Sequence, residues 1–166
     1  ANNLRDARLR LTVSRGEAGS FPGSDTDATP TVLVTTTSYR GLSDQKYCQG
    51  FQVGISSFRR CHQSPLSRLK SANYLVSVLA KREMEMAGLD ESLLLNGRDL
   101  IAEGSISNVF FVSQSNLVTP PLESGILPGI TRKVVLELAT ALKINTSEIN
   151  IQAADLTIFD EAFLTN

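Results

Sequence analysis

The chain has 166 residues, enough for one domain with a sizeable core. It is 42% hydrophobic and 20% charged with a net charge of −1, and it has no basic run, which argues against nucleic acid or an anionic membrane surface as a partner. No apolar stretch reaches the ~18 residues that would span a bilayer, and the opening ANNLRDARLR carries charge where a secretory signal needs an apolar segment, so the expected compartment is the cytoplasm.

The first element is read from ARLRLTVSRG, where Leu9, Leu11 and Val13 alternate with Arg8, Arg10 and Thr12 before Gly16, the mark of a strand running into a turn. Residues 17–30 are a loop by their Gly, Pro, Ser and Asp content, and the β-branched 31–39 predicts a second strand. A third strand covers 50–58, with Phe51, Val53 and Ile55 alternating, and an irregular connection follows. A helix is expected over about 71–87, with Tyr74, Leu75, Val78, Leu79, Arg82 and Met86 at helical spacing and Gly88 as its stop. SLLLN, LIAEG, SNVFFVS and NLVTP read as short strands separated by turns such as Asn96-Gly97. ESGILPG is a loop, and 131–142 is a second helix with Val134, Val135, Leu138 and Leu142 on one face. The last strand is Glu161–Thr165. Many strands with two main helices make an α+β domain. Because the chain begins and ends directly on strands, it reads as a piece of a longer polypeptide.

Three places could carry chemistry. Lys70 lies just before the first helix: a solvated lysine on one reading, a desolvated nucleophile for carbonyls on the other. Glu103, in LIAEGSISNVFF, ends an apolar run and is either a strand-end carboxylate in water or a working acid. Gly129, Ile130 and Thr131 open the second helix, where free N–H groups and a hydroxyl make either an ordinary helix start or an anion site. Cys48 and Cys61 fit neither a disulfide framework nor a zinc site, and His62 alone cannot build a multi-histidine metal centre.

The stretches LKSANYL, EGSISNVFF, TPPLESGILPGITR and DEAFLTN, in this order and spacing, resemble the fold-type IV pyridoxal-phosphate enzymes, the class IV aminotransferases, which include branched-chain aminotransferase, D-amino-acid aminotransferase and aminodeoxychorismate lyase. The resemblance covers residues 8–166. It implies a D-amino-acid-aminotransferase-like large domain, a barrel-like, mostly antiparallel sheet core flanked by helices, a homodimer, and a small amino-acid-like substrate. It also implies roles. Lys70 resembles the lysine that holds pyridoxal 5′-phosphate through its amine and later shuttles the α-proton. Glu103 stands where the family keeps the carboxylate facing the pyridine nitrogen, and Tyr74 where a tyrosine hydrogen-bonds the ring hydroxyl. Gly129, Ile130 and Thr131 match the phosphate-binding helix start, and Leu127 the side chain packed near the ring. Ser105, Ile106, Ser107 and Asn108 match the turn beside the cofactor, with Asn108 holding its shape; Arg59 matches an arginine near the lysine.

The family also has a smaller N-terminal domain that supplies a phosphate-binding arginine and part of the substrate pocket. It is absent from this sequence, so residues 1–166 are expected to be the C-terminal cofactor-binding domain of such an enzyme. For the substrate, Arg15 in LTVSRGEAG resembles a strand-end arginine that traps a substrate carboxylate. D-amino-acid aminotransferases carry a histidine two residues after it, where this chain has Glu17. The Ser-Arg-Gly stretch resembles the aminodeoxychorismate lyases, and the expected reaction is release of pyruvate and 4-aminobenzoate from 4-amino-4-deoxychorismate. Branched-chain or D-amino-acid transamination is the alternative, and an inactive binding module of the same fold is a second. A degenerate module would be expected to lose Lys70 or Glu103, and both are present.

Overall fold

The computed structural model describes residues 3–17 and 29–166, so most of the loop expected over 17–30 lies outside the described residues. The chain divides into two units, 1–49 and 50–166. In the first, β1 (Ala7–Ser14) and β2 (Thr31–Ser38) form an antiparallel ribbon with Ala7 opposite Ser38 and Ser14 opposite Thr31. Gly16 follows β1 at a φ of +93°, and a Cβ there would stand 2.0 Å from the Thr29 carbonyl oxygen, so only glycine makes this return. A six-residue helix, α1 (Asp44–Gln49), was not foreseen because it is too short to show a period.

The second unit runs β3 (Val53–Arg60), a 3₁₀ turn at Pro65–Arg68, α2 (Leu75–Met86), β4 (Glu91–Asn96), β5 (Ile101–Gly104), β6 (Asn108–Ser113), β7 (Asn116–Thr119), a 3₁₀ turn at Leu122–Ser124, α3 (Ile130–Ala141), β8 (Thr146–Glu148), a 3₁₀ segment at Ala153–Ile158 and β9 (Glu161–Thr165). One sheet has the order β3-β4-β5 and another the order β8-β7-β6-β9. Parallel pairing joins β3 to β4 and β7 to β8, and the other pairs are antiparallel. The fold is therefore α+β as expected, with open sheets rather than a closed barrel among the described residues.

The strand β6 explains the core. Val109 and Phe111 point to a cluster with Leu93, Leu95, Ile101, Val118 and Ile151. Phe110, alternating to the other face, packs with Leu117 and Ala139 under α3. A strand buried on both faces has no polar side to show, which is why NVFFV reads as a continuous apolar run.

Both helices end in Schellman motifs. In α2 the Leu89 N–H donates to the Met84 carbonyl at 2.8 Å and the Gly88 N–H to Glu85 at 3.1 Å, with Gly88 at φ +74°. In α3 the Ile144 N–H donates to Ala139 at 2.8 Å and the Lys143 N–H to Thr140 at 3.1 Å; there a lysine takes the left-handed position at φ +57°.

Four local expectations are corrected. Regular α2 starts at Leu75, not 71, because the Tyr74 N–H turns back to the Ala72 carbonyl at 3.0 Å and the Ser71 hydroxyl accepts from the Asn73 N–H. The packed face of α2 is Ser77, Ala80 and Met84, while Leu75 and Val78 are exposed. In α3 the packed face is Arg132, Val135, Leu136 and Ala139, and Val134, Leu138 and Leu142 lie outward. In β3 the more buried residues are Gly54, Ser56, Phe58 and Arg60, the opposite parity to Val53 and Ile55. One contact accounts for two of these. A Cβ on Gly54 would stand 2.6 Å from both Met84 Sδ and Leu89 Cδ1, so α2 rests on the strand where the backbone is bare.

Candidate active site

The second unit's sheets bring the ends of β3, β5 and β6 to one place, and Glu103 is its centre. Its side chain is only 8% exposed. Oε1 takes an ion pair from Arg60 Nη2 at 2.6 Å. Oε2 accepts the Leu127 N–H at 3.0 Å and Asn108 Nδ2 at 3.4 Å. Burial pushes its pKa up to about 7, and Arg60, the Leu127 N–H and the charge of Lys70 pull it part of the way back.

Lys70 lies between the Pro65–Arg68 turn and α2, in irregular backbone, and is exposed. Its Nζ stands 5.4 Å from the centre of the Tyr74 ring, over the face of the residue that caps α2. The lysine therefore sits on a short arm held at both ends: by the 3₁₀ turn, where the Ser64 hydroxyl accepts the Leu66 N–H at 3.2 Å, and by the helix.

Asn108 joins Glu103 to the start of α3. Its Nδ2 donates to the Leu127 carbonyl at 2.9 Å as well as to Glu103. Gly129 presses against it: a Cβ there would stand 2.1 Å from Asn108 Oδ1. Gly129 caps α3 without any side-chain hydrogen bond, and the backbone pattern begins with the Lys133 N–H donating to the Gly129 carbonyl at 3.0 Å. The N–H groups of the helix's first turn therefore point to a positive, uncapped end. Ile130 is 84% exposed there. The Thr131 hydroxyl donates to the Asn166 carbonyl at 2.7 Å, tying the helix start to β9.

The turn from β5 to β6 is built tightly. The Gly104 N–H donates to the Ser107 carbonyl at 2.7 Å, and a Cβ on Gly104 would stand 2.3 Å from Ser107 Oγ. Ser107 Oγ is buried without a hydrogen-bond partner. Ser105 Oγ donates to buried Glu91 at 2.5 Å, and Ile106 is exposed.

Lys70, Tyr74, Glu103, Asn108, Leu127 and Gly129 thus share direct or electrostatic contacts, with Ser107 and the α3 start adjoining. One expected residue of the second unit stands apart from this set. Arg59 is turned away: its Nε donates to Asp99 Oδ1 at 3.2 Å and its Nη1 to the Ser56 carbonyl at 2.8 Å. Arg15 follows β1 in the first unit. Two roles were missed. Arg60, not Arg59, reaches Glu103, and the period of two along β3 was the available signal, since it sets the two arginines on opposite faces. Leu127 works through its backbone, clasping Glu103 and Asn108 together, which no side-chain pattern could reveal.

The chain is similar to known proteins along its whole length. The amino-transferase class IV family matches residues 1–166. A putative branched-chain-amino-acid aminotransferase of Methanocaldococcus jannaschii is 38% identical over 99% of this chain and 56% of its own length. An aminodeoxychorismate lyase of Bacillus subtilis is 34% identical over 99% of this chain and 56% of its own length. The crystal structure of the Escherichia coli branched-chain aminotransferase superimposes with a TM-score of 0.88 at 29% identity, over 96% of this chain and 54% of that one. The chain spans about half the length of the curated relatives it matches.

Proposed function

The chain belongs to the class IV aminotransferases, and on that premise we propose that it is the C-terminal cofactor-binding domain of a pyridoxal 5′-phosphate-dependent enzyme that acts on the amine of a small amino-acid-like substrate. The buried carboxyl of Glu103, pushed up to about 7 beside Lys70, is the observation that carries the reading. A carboxyl so burdened by burial is relieved by a further cation, and a protonated ring nitrogen is one. Two further features fit the group: the partnerless buried Ser107 Oγ, and the uncapped start of α3 at Gly129, Ile130 and Thr131, suited to a phosphate.

When bound, the cofactor supplies an aldehyde to react with amines and a ring that withdraws electrons. The rest is the work of the residues. Lys70 would hold the group through Nζ and, with that amine free, would take and return the α-proton of the substrate. Glu103, ionised, keeps a proton on the ring nitrogen. Tyr74 steadies the lysine and the ring hydroxyl, and Leu127 and Asn108 hold the turn around Glu103. Arg15 is read as a substrate-carboxylate ligand. The smaller N-terminal domain completes the pocket, and the enzyme works as a homodimer.

The specific reaction we infer is that of aminodeoxychorismate lyase, supported by Ser14-Arg15-Gly16-Glu17 and by the lyase relative. Branched-chain transamination is the second reading, favoured by the 38% identical relative. Two experiments on the full-length protein test this. Borohydride reduction and peptide mapping put the pyridoxyl group on Lys70; a label on Lys81 or Lys133 instead overturns the assignment. Pyruvate release from aminodeoxychorismate is then assayed beside 2-oxoglutarate-dependent deamination of L-leucine and D-alanine. Transamination without pyruvate release replaces the lyase by a transaminase and leaves Lys70 in its role.

A further inference from the structure

We infer that Arg60 is a positioning residue: one guanidinium nitrogen ties the Glu103 carboxylate to the backbone of the segment that carries Lys70, so a single side chain sets the charge of one working group and the place of the other. This rests on the reading of Lys70 and Glu103 as the working groups.

The geometry is a strut. Arg60 Nη2 stands 2.6 Å from Glu103 Oε1 and also donates to the Ser67 carbonyl at 3.1 Å. Ser67 is buried, lies in the 3₁₀ turn three residues ahead of Lys70, and is itself pinned where its Oγ donates to the Ser64 carbonyl at 2.6 Å. With Leu127 and Asn108 on Oε2, the contact at Oε1 completes a carboxylate held on both oxygens. The end of β3 therefore reaches β5 on one side and the approach to Lys70 on the other through one planar group, a bridging geometry that suits arginine better than lysine.

Nη2 serves both acceptors, one on β5 and one in the turn ahead of Lys70, while Nε is buried without a partner. The charged groups bearing on Glu103 are Arg60 from β3 and Lys70 from the segment ahead of α2; the contacts from β6 and from Leu127 are neutral. Arg60 is the nearer cation and the larger influence of the two. Without it, the carboxyl keeps its burial and loses its main counter-charge.

The test uses full-length protein and two variants, Arg60→Met and Arg60→Lys. The first readout is the Glu103 carboxyl midpoint, followed by ¹³C NMR in the cofactor-free protein. The second is the fraction of Lys70 labelled at a fixed short time by pyridoxal phosphate and borohydride. In Arg60→Met the midpoint is expected to rise by at least about one pH unit, as for loss of a neighbouring opposite charge, and labelling to fall several-fold. In Arg60→Lys the midpoint stays near the wild-type value while labelling still falls, because a lysine keeps the charge but loses the bridge to Ser67. A folded Arg60→Met protein whose midpoint or labelling is unchanged overturns the inference. If Arg60→Met does not fold, Arg60→Lys decides alone: unchanged labelling overturns the strut, and reduced labelling with the midpoint kept supports it. Absence of label from wild-type Lys70 overturns the functional reading instead, and the Glu103 midpoint still decides whether Arg60 sets that charge.

Discussion

Gly129 and Asn108 meet so closely that a single methyl group on the glycine would stand 2.1 Å from Asn108 Oδ1. The contact joins the start of α3 to the residue that holds Glu103 and Leu127 together. An uncapped helix end and a buried acid are thereby kept in register by the absence of one side chain.

Gly129→Ala tests that contact. The backbone at Gly129 is ordinary for any residue, with φ −66° and ψ 141°, so the effect is steric and not conformational. Asn108 must swing away or α3 must retreat. Overpacking of this kind costs about 1–3 kcal/mol, and the Asn108 bonds to Leu127 and Glu103 loosen with it. The expected result is a lower melting temperature and weaker pyridoxal phosphate binding, measured by thermal unfolding and spectroscopic titration. Wild-type values for both would show that α3 yields freely at this point.

The raised pKa of Glu103 makes stability pH-dependent in a definite direction. The folded value is about 7 against an ordinary 4.5, so between these pH values the folded state keeps a proton that the unfolded chain has released. The stability due to protonated Glu103 is complete below about pH 4.5 and is lost as pH rises through 7. The full change is about 3 kcal/mol at about 1.4 kcal/mol per pH unit. Urea unfolding of the cofactor-free protein from pH 4.5 to 8 should show this decline, and Glu103→Gln, which does not titrate, should show a flatter one. Parallel slopes for the two proteins would mean that Glu103 titrates at its ordinary value.

Glu103→Gln also tests the proposed chemistry. Glutamine can still accept the Leu127 N–H, but it carries no charge to keep a ring nitrogen protonated. Cofactor binding is expected to survive and kcat to fall by about 10²–10³, the scale seen when one preorganised electrostatic contact is removed. Steady-state kinetics on the full-length protein check this, and an unchanged kcat removes Glu103 from the mechanism.

The legible part of the site was the part written in side chains close together along the chain. Lys70 with Tyr74, Glu103 with Ser107 and Asn108, and Gly129 with Thr131 each fall within a few residues, and each group occupies one turn or one element end. Arg60 was legible in principle, through the parity of β3. It was hidden because Gly54 and Ser56 share its face, and a small, polar inward face looks like an outward one. The backbone of Leu127 left no trace, since every residue but proline offers the same N–H and carbonyl.

The amino-acid sequence by itself determined where most strands and both long helices lie, because periodicity, glycine stops and turn residues act over a few positions and need no distant partner. It marked SNVFFVS as a strand and Gly88 as a helix end for the same reason. Tertiary structure alone decided which face of α2 and α3 is packed, that β3 runs parallel to β4, that Arg60 and not Arg59 meets Glu103, and that Glu103 is pushed toward neutrality. Those outcomes depend on groups far apart in the chain: Met84 against Gly54, Arg60 on Glu103, and the Leu127 N–H on that same carboxylate. A local pattern records what a residue is. Burial and charge at a site are set by what the fold brings against it, and that is decided only when the sheets close around Glu103.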